Sequence, residues 1–355
     1  MKSEGFATAV GSWRRVFLMA VILHACAVAD FSLSTSRFSC LNAQSLLKRL
    51  DRMLTTRYNK VNYDTAYIMR PNTKWTITAR MNVSGMAIES KGIDAGQHFQ
   101  TKSEANNKAT LSMAVSYQGI ALGLALNPAQ LIGKYHDYEL NLNSYRNRFG
   151  FDVIYQDAKN FKGWYEQEGL GRVELPDGLL EVQTLNLNVY YAFNGRRFSY
   201  PAAFSQSYIQ RRSAGSFLLA ASYMGQRIIL DWERPRVGDQ WSGMEGQQLK
   251  MTNIGIGAGY GYNYVPGQGW LLHLSALPTF IVYSKTRQTV GDDRMSLRYR
   301  FPETIITARG AVVRQWDNKF LGLSMVYTYT NIGDEADLAV ENAKWRLRAF
   351  FGLRI

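Results

Sequence analysis

KWRLRAFFGLRI, Lys344 to Ile355, is the stretch that decides the fold. From Trp345 every second residue is apolar: Trp345, Leu347, Ala349, Phe351, Leu353, Ile355. Between them stand Arg346, Arg348, Phe350, Gly352 and Arg354. A period of two is a β-strand with one apolar and one polar face. A soluble sandwich or barrel turns the apolar face inward, whereas a membrane barrel turns it outward to lipid and keeps the polar face in the lumen. The rest of the chain has to choose.

Working outward, nine further alternating stretches precede this one, at about 75–88, 109–126, 135–155, 180–193, 213–224, 253–264, 270–283, 297–316 and 320–329. In the second, the apolar face moves by one residue near Gly119, which a β-bulge would explain. Connections at 127–134, 265–269 and 317–319 are short. Those at 91–107, 156–178, 225–248, 286–295 and 331–341 are longer and polar. Short turns at one end and long loops at the other are the asymmetry of an outer-membrane barrel. The segment Asn194–Arg212 breaks the rule, being long at the short-turn end. Trp75, Phe193, Tyr264, Trp270, Trp316 and Phe320 sit at strand ends beside the short turns, where amphipathic rings meet the membrane–water boundary. The expected fold is therefore an all-β, antiparallel transmembrane β-barrel of about ten strands, with twelve as the alternative. An open edge in hydrocarbon would leave amides unpaired, so the last strand is expected to pair with the first.

The N-terminus reads as an export signal. Lys2, Arg14 and Arg15 precede an apolar run from Val16 to Val28 that is too short to span a bilayer. Small-residue cleavage sites follow at Ala27-Val28-Ala29 and Leu41-Asn42-Ala43. The expected organisation is a signal peptide over 1–43, a periplasmic lead-in over 44–73 and the barrel over 74–355. Within the lead-in, Gln44–Arg57 has Leu46, Leu47, Leu50, Met53 and Leu54 at helical spacing, a short amphipathic helix. Both cysteines, Cys26 and Cys40, lie in the signal. The mature chain then holds no disulfide, and strand pairing must supply its stability.

The full chain carries a formal charge of +13; residues 1–43 hold four basic and two acidic residues, so the mature chain keeps +11. For an exported protein, lipid phosphates are the expected anionic partner and nucleic acid is not. Outer-membrane lipids, including lipopolysaccharide, and the barrel-assembly machinery are the expected partners. The apolar alternation at the carboxyl end resembles the signal that machinery reads, with Ile355 where Phe is usual.

The segment Asn194–Ser216 (NGRRFSYPAAFSQSYIQRRSAGS) is distinctive, as is Tyr63–Ile68 (YDTAYI) before Lys74-Trp75. Together they resemble an uncharacterised family of Bacteroidota outer-membrane proteins known only as a domain of unknown function. The resemblance covers most of the mature chain. It implies an outer-membrane barrel and carries over no catalytic residue.

Few residues suggest chemistry. His273 and Ser275, two apart on one strand, share a face. Outer-membrane lipid hydrolases resembling barrels of this size use a His-x-Ser pair, in which the base activates serine against an acyl ester. A polar lumen lining is the competing reading. His98 and His136 fall in connections, and no spacing suggests a metal site or a cofactor. Gly255, Gly257, Gly259 and Gly261 lie in a strand, so they do not form a phosphate loop. A glycine row leaves room against the wall for the 44–57 helix or an inward-folded loop, or else marks barrel curvature. The expected polar lumen includes Arg80, Asn186, Asn188, Arg346 and Arg348, the last two paired to inward carboxylates such as Glu139 or, if unpaired, favouring anions. The function expected first is a non-enzymatic barrel that is structural or binds through long outer loops. A narrow channel for small solutes comes second, and a lipid A deacylase or phospholipase-like hydrolase using His273 and Ser275 third.

Overall fold

The computed structural model describes residues 61–94, 96–117, 120–126, 138–159, 161–169, 171–175, 178–231, 246–297, 299, 301–334, 336 and 338–355. The expected signal peptide and the helix at 44–57 lie outside the described residues. Contacts divide the chain into two units, residues 1–62 with 115–122 and residues 63–114 with 123–355. The described part of the first is residues 61–62, 115–117 and 120–122.

Among the described residues eighteen strands follow one another. The first five are β1 (Ile68–Met69), β2 (Trp75–Asp94), β3 (Gln97–Ala105), β4 (Lys108–Tyr117) and β5 (Ile120–Leu126). Next come β6 (Tyr138–Tyr145), β7 (Phe149–Ala158), β8 (Phe161–Gln167), β9 (Gly171–Leu175) and β10 (Leu180–Ala192). A helix, α1 (Tyr200–Phe204), precedes β11 (Ile209–Gln210), β12 (Ala214–Leu230), β13 (Gln247–Gly267) and β14 (Trp270–Val290). The last are β15 (Asp293–Leu297), β16 (Thr304–Trp316), β17 (Lys319–Asp334) and β18 (Leu338–Arg354).

Pairing is antiparallel throughout the main sheet, in the order β6-β7-β10-β12-β13-β14-β16-β17-β18-β2, and β2 also pairs β3 and β4. The last strand does meet the first of the wall. β18 runs along β2 from Leu338 opposite Gly92 to Arg354 opposite Thr76. Trp75 and Ile355 exchange backbone hydrogen bonds at 3.1 and 2.9 Å.

This sheet is curled into a barrel. β7 and β16 lie five strands apart in the order, roughly 24 Å if the sheet were flat. Yet Arg309 of β16 and Asp152 of β7 are 2.6 Å apart. β6 and β18 lie eight apart, and Glu139 and Arg346 meet at 2.8 Å. Only a concave inner face brings such side chains together.

The barrel is inverted relative to a soluble one. Outward positions are apolar and exposed: Leu274 at 72%, Phe217 at 70%, and also Ile256, Leu323, Leu347 and Phe351. Inward positions hold buried Asp152, Gln156, Gln226, Asn253, Asn263, His273 and Arg309. Water outside and oil inside would make this arrangement very unfavourable, whereas hydrocarbon outside makes it stable. No helix among the described residues is long and apolar enough to cross a membrane; the strands do the crossing.

Several expectations need correction. Two alternating stretches, each expected as one strand, hold two strands apiece. The stretch at 135–155 splits into β6 and β7 around Arg146-Asn147-Arg148, a reversal without Gly or Pro to mark it. The bulge expected near Gly119 lies outside the described residues; β4 ends at Tyr117, β5 begins at Ile120, and the two pair with each other. The long polar connections are largely strand. β2 and β3 pair from Asp94/Gln97 to Ala87/Glu104, β3 pairs β8, and β8 pairs β9. Beyond the membrane both faces meet water, so the ladder continues while the apolar alternation fades. His98 accordingly lies in β3, and His136 lies outside the described residues. Phe320 is fully buried and inward-facing rather than in the girdle, one residue out of phase with exposed Leu321.

Candidate functional site

The out-of-place segment Asn194–Arg212 forms the site. Instead of lying outside the turn end, it folds into the barrel. Pro201 stands in the first turn of α1, where its missing N–H costs nothing. Ser199 holds the extended N-cap conformation but makes no side-chain cap, because its Oγ donates to Asn147 Oδ1 at 2.8 Å. All five α1 residues are buried. Tyr200 and Phe204, one turn apart, both lie 5.1 Å from the His273 ring, centroid to centroid. Phe198 adds a third ring at 5.9 Å.

A two-stranded clip closes the segment's outer side, pairing Ile68 with Gln210 and Met69 with Ile209. Gln210 is the hub. Its Oε1 accepts from Ser199 N and from Asn263 Nδ2, both at 3.0 Å, and its Nε2 donates to Arg197 O at 2.6 Å and Arg212 O at 2.9 Å. The carboxyl-terminal strand helps: Arg354, buried, donates to Gln206 O at 3.1 Å and Gln315 Oε1 at 3.0 Å, and its guanidinium covers Phe320.

His273 and Ser275 are the wall's contribution. His273 Nε2 and Ser275 Oγ lie 3.0 Å apart, and His273 Nδ1 and Asn263 Oδ1 lie 2.7 Å apart. Asn263 Nδ2 donates to Ser199 O and Gln210 Oε1, so Oδ1 faces the imidazole and Nδ1 carries the proton. Nε2 is left to accept from Ser275, whose oxygen in turn accepts from Tyr200 OH at 3.0 Å. The hydrogen bonds thus run from Tyr200 on the inserted segment, through Ser275, His273 and Asn263 on the wall, and back to Ser199 and Gln210 on the segment. Burial holds the Tyr200 hydroxyl above its ordinary pKa, so it stays a donor. A serine, an imidazole and an orienting amide also make the relay of a nucleophilic enzyme. Here the relay lies under three aromatic rings, and both His273 and Ser275 are only 4% exposed.

Above the inserted segment is a charged layer. Arg309 Nη2 donates to Asp152 Oδ2 at 2.6 Å, Tyr145 OH donates to Asp152 Oδ1 at 2.5 Å, and Arg309 faces the Tyr190 and Tyr200 rings. Farther up, Arg346 pairs with Glu139, Arg348 Nε donates to Asn82 Oδ1 at 2.6 Å, and Lys344 bonds Gln156. Arg80 is on the same inward row of β2 as buried Thr78. Asn186 and Asn188 line a polar cavity of about 50 Å³ with Thr184, Ser222 and Asn342. Above that, Met86, Phe161, Val182, Met251, Ile281 and Ile305 belong to an apolar cluster made of wall and extension strands alone.

The glycine row faces inward along β13. A Cβ on Gly261 would meet Phe198 Cζ at 3.0 Å, so here the inserted segment rests on the wall. At Gly255, Gly257 and Gly259 a Cβ would instead strike β14, at Thr279, Pro278 O and Ala276 O. No group of His, Cys, Asp or Glu among the described residues could hold a metal. Asn263, Gln210, Tyr200, Asp152 and Arg309 carry no local sequence signal as partners. Each is brought in by register or by the curl, which no local spacing encodes.

Residues 62–354 match the model of a Domain of unknown function (DUF4421). The chain belongs to that family. No curated protein matches this DUF4421 chain. Among solved structures it is similar to the outer membrane protease OmpT from Escherichia coli. They share 9% identity, the match covers 84% of this chain and 100% of OmpT, and the TM-score is 0.45. It is also similar to OprG from Pseudomonas aeruginosa, at 10% identity, 81% and 99% coverage and a TM-score of 0.29. The Pseudomonas putida toluene transporter TodX shares 8% identity, with 80% and 91% coverage and a TM-score of 0.25.

Proposed function

We propose that this DUF4421 protein is a non-enzymatic, non-conducting barrel of the Gram-negative outer membrane. It is exported by the signal at residues 1–43, inserted by the barrel-assembly machinery and surrounded by outer-membrane lipids, lipopolysaccharide among them. Its role is to present the β2–β3–β8–β9 extension to a binding partner outside the cell. The observation that carries this reading is the filled interior. The inserted Asn194–Arg212 segment fills the turn end, and the apolar strand cluster fills the loop end. A cavity there, lined by Asn186, Asn188 and Thr184 among others, measures about 50 Å³. That volume is on the scale of one or two waters.

The hydrolase reading has one observation in its favour, the Ser275–His273–Asn263 relay. Against it, Ser275 accepts from Tyr200 and lies beneath the segment that closes the barrel. The pair is better used as the wall's half of a clamp.

Reconstitution into planar bilayers tests the closed lumen. The unmodified protein is expected to give no stepwise conductance, and regular ion-conducting steps would restore the channel reading. Phospholipid and lipid A hydrolysis are expected to stay at background in both the unmodified protein and Ser275→Ala. A turnover abolished by Ser275→Ala would make the relay catalytic.

A further inference from the structure

The outer face of the wall carries a site of a different kind. Toward the turn end, the outward positions of β16 are Ile306, Ala308, Gly310, Val312, Arg314 and Trp316. Arg314 therefore points from the barrel into the lipid-facing layer. Its strand neighbours are Trp270 on β14 and Leu321 on β17, both exposed and neither acidic. The guanidinium carbon lies 5.2 Å from the Trp270 ring centroid. Nη1 is buried and makes no hydrogen bond among the described residues. Lys319, exposed at the start of β17 opposite Trp316, is a second cation at this rim, and Asp317 in the intervening turn is the acid closest in sequence.

Directly above Arg314 the wall is dented. Gly310 lacks a side chain where its neighbours project, and an apolar groove of about 430 Å³ opens there. Leu272, Leu274, Val312, Leu323 and Leu347 line it. Val312, in the lining of the groove, is the next outward residue after Arg314, roughly 7 Å along the strand. Trp270 and Trp316 mark the depth at which headgroups begin. An arginine at that depth without a carboxylate is costly unless an anion comes from the membrane itself, and phosphate matches its planar fork.

We propose that Arg314 and the Gly310 groove hold one glycerophospholipid of the turn-side leaflet, with its phosphate on the guanidinium and an acyl chain along the groove. The site depends on the outward apolar wall and not on the inserted segment, so a conducting lumen would leave it intact.

Native mass spectrometry of the delipidated protein in non-ionic detergent tests this. Phosphatidylglycerol is expected to be retained as a single adduct. Arg314→Gln should lower retention by about tenfold, the scale of losing one charged hydrogen bond, and Arg314→Lys by less. Gly310→Leu should lower it comparably while leaving heat-modifiable gel migration unchanged, because a Cβ there meets only His273 O at 3.8 Å. Lys250→Gln, at an exposed position far up β13, should change nothing. Three results would overturn the proposal: equal retention by the unmodified protein and Arg314→Gln, equal retention of diacylglycerol, or binding of glycerol 3-phosphate without chains as tight as that of the lipid.

Discussion

The two ends of this barrel are closed in different ways. At the loop end the closure is made by the strands themselves: Met86, Ile88, Val182, Met224, Met251, Ile281 and Ile305 are large residues on adjoining strands, packed across the interior. At the turn end several wall residues are small, with Ala192, Ala214, Ala220 and Ala311 buried and Gly261 between them. The bulk there comes from Phe198, Tyr200 and Phe204 on a segment that leaves the wall and returns. A narrow barrel can be filled from its own wall or from an inserted piece, and the size of the inward residues shows which. An inserted piece must also be held, so polar residues concentrate at that end: His273, Ser275, Asn263, Gln210 and Arg354.

Substitutions can break or sharpen this contrast. The largest effect is expected from Arg309→Met, which leaves buried Asp152 without its guanidinium and should cost about 3–5 kcal/mol in denaturant unfolding from micelles. The double variant with Asp152→Leu should recover most of the loss; no recovery would mean the pair is not the source. Phe198→Ala and Met251→Ala compare the two closures. Each removes a fully buried side chain and should cost about 2–5 kcal/mol. They should differ in trypsin cleavage at exposed Arg211 and Arg212, faster in Phe198→Ala and unchanged in Met251→Ala. Equal cleavage in both would show that the two ends do not open separately.

Smaller effects follow at the clamp. His273→Ala leaves Asn263 Oδ1 and Ser275 short of a partner inside the wall and should cost about 1–3 kcal/mol. Gly261→Ala sets a methyl 3.0 Å from Phe198 and should cost about 1 kcal/mol, read as a small rise in the same trypsin cleavage. A stabilised Gly261→Ala protein would show that the inserted segment does not press on the glycine row.

Much of the wall is legible in the sequence. The period-two pattern from Trp345 to Ile355 reappears as exposed Leu347 and Phe351 against buried Phe350, Gly352 and Arg354. His273 and Ser275 could be placed on one face because side-chain direction in a strand depends only on parity. Where a reversal lacked Gly or Pro, as at Arg146–Arg148, two strands read as one. Where strands left the membrane, as in β3, β8 and β9, the apolar signal faded although the ladder continued. The inserted segment stands out in the sequence by its length at the wrong end and its distinctive residues, but not by where it folds. Its buried five-residue helix is too short for a helical period to show.

The amino-acid order by itself determined which face of each ribbon is apolar, since alternation is a property of adjacent residues, and its short turns, long loops and aromatic strand ends pointed to hydrocarbon outside. Which residues meet across the interior was decided only by the tertiary structure. Arg309 reaches Asp152 and Arg346 reaches Glu139 because strand register and the curvature of the sheet bring distant strands together. Tyr200 reaches Ser275 because a connecting segment found more apolar contact inside the barrel than in water.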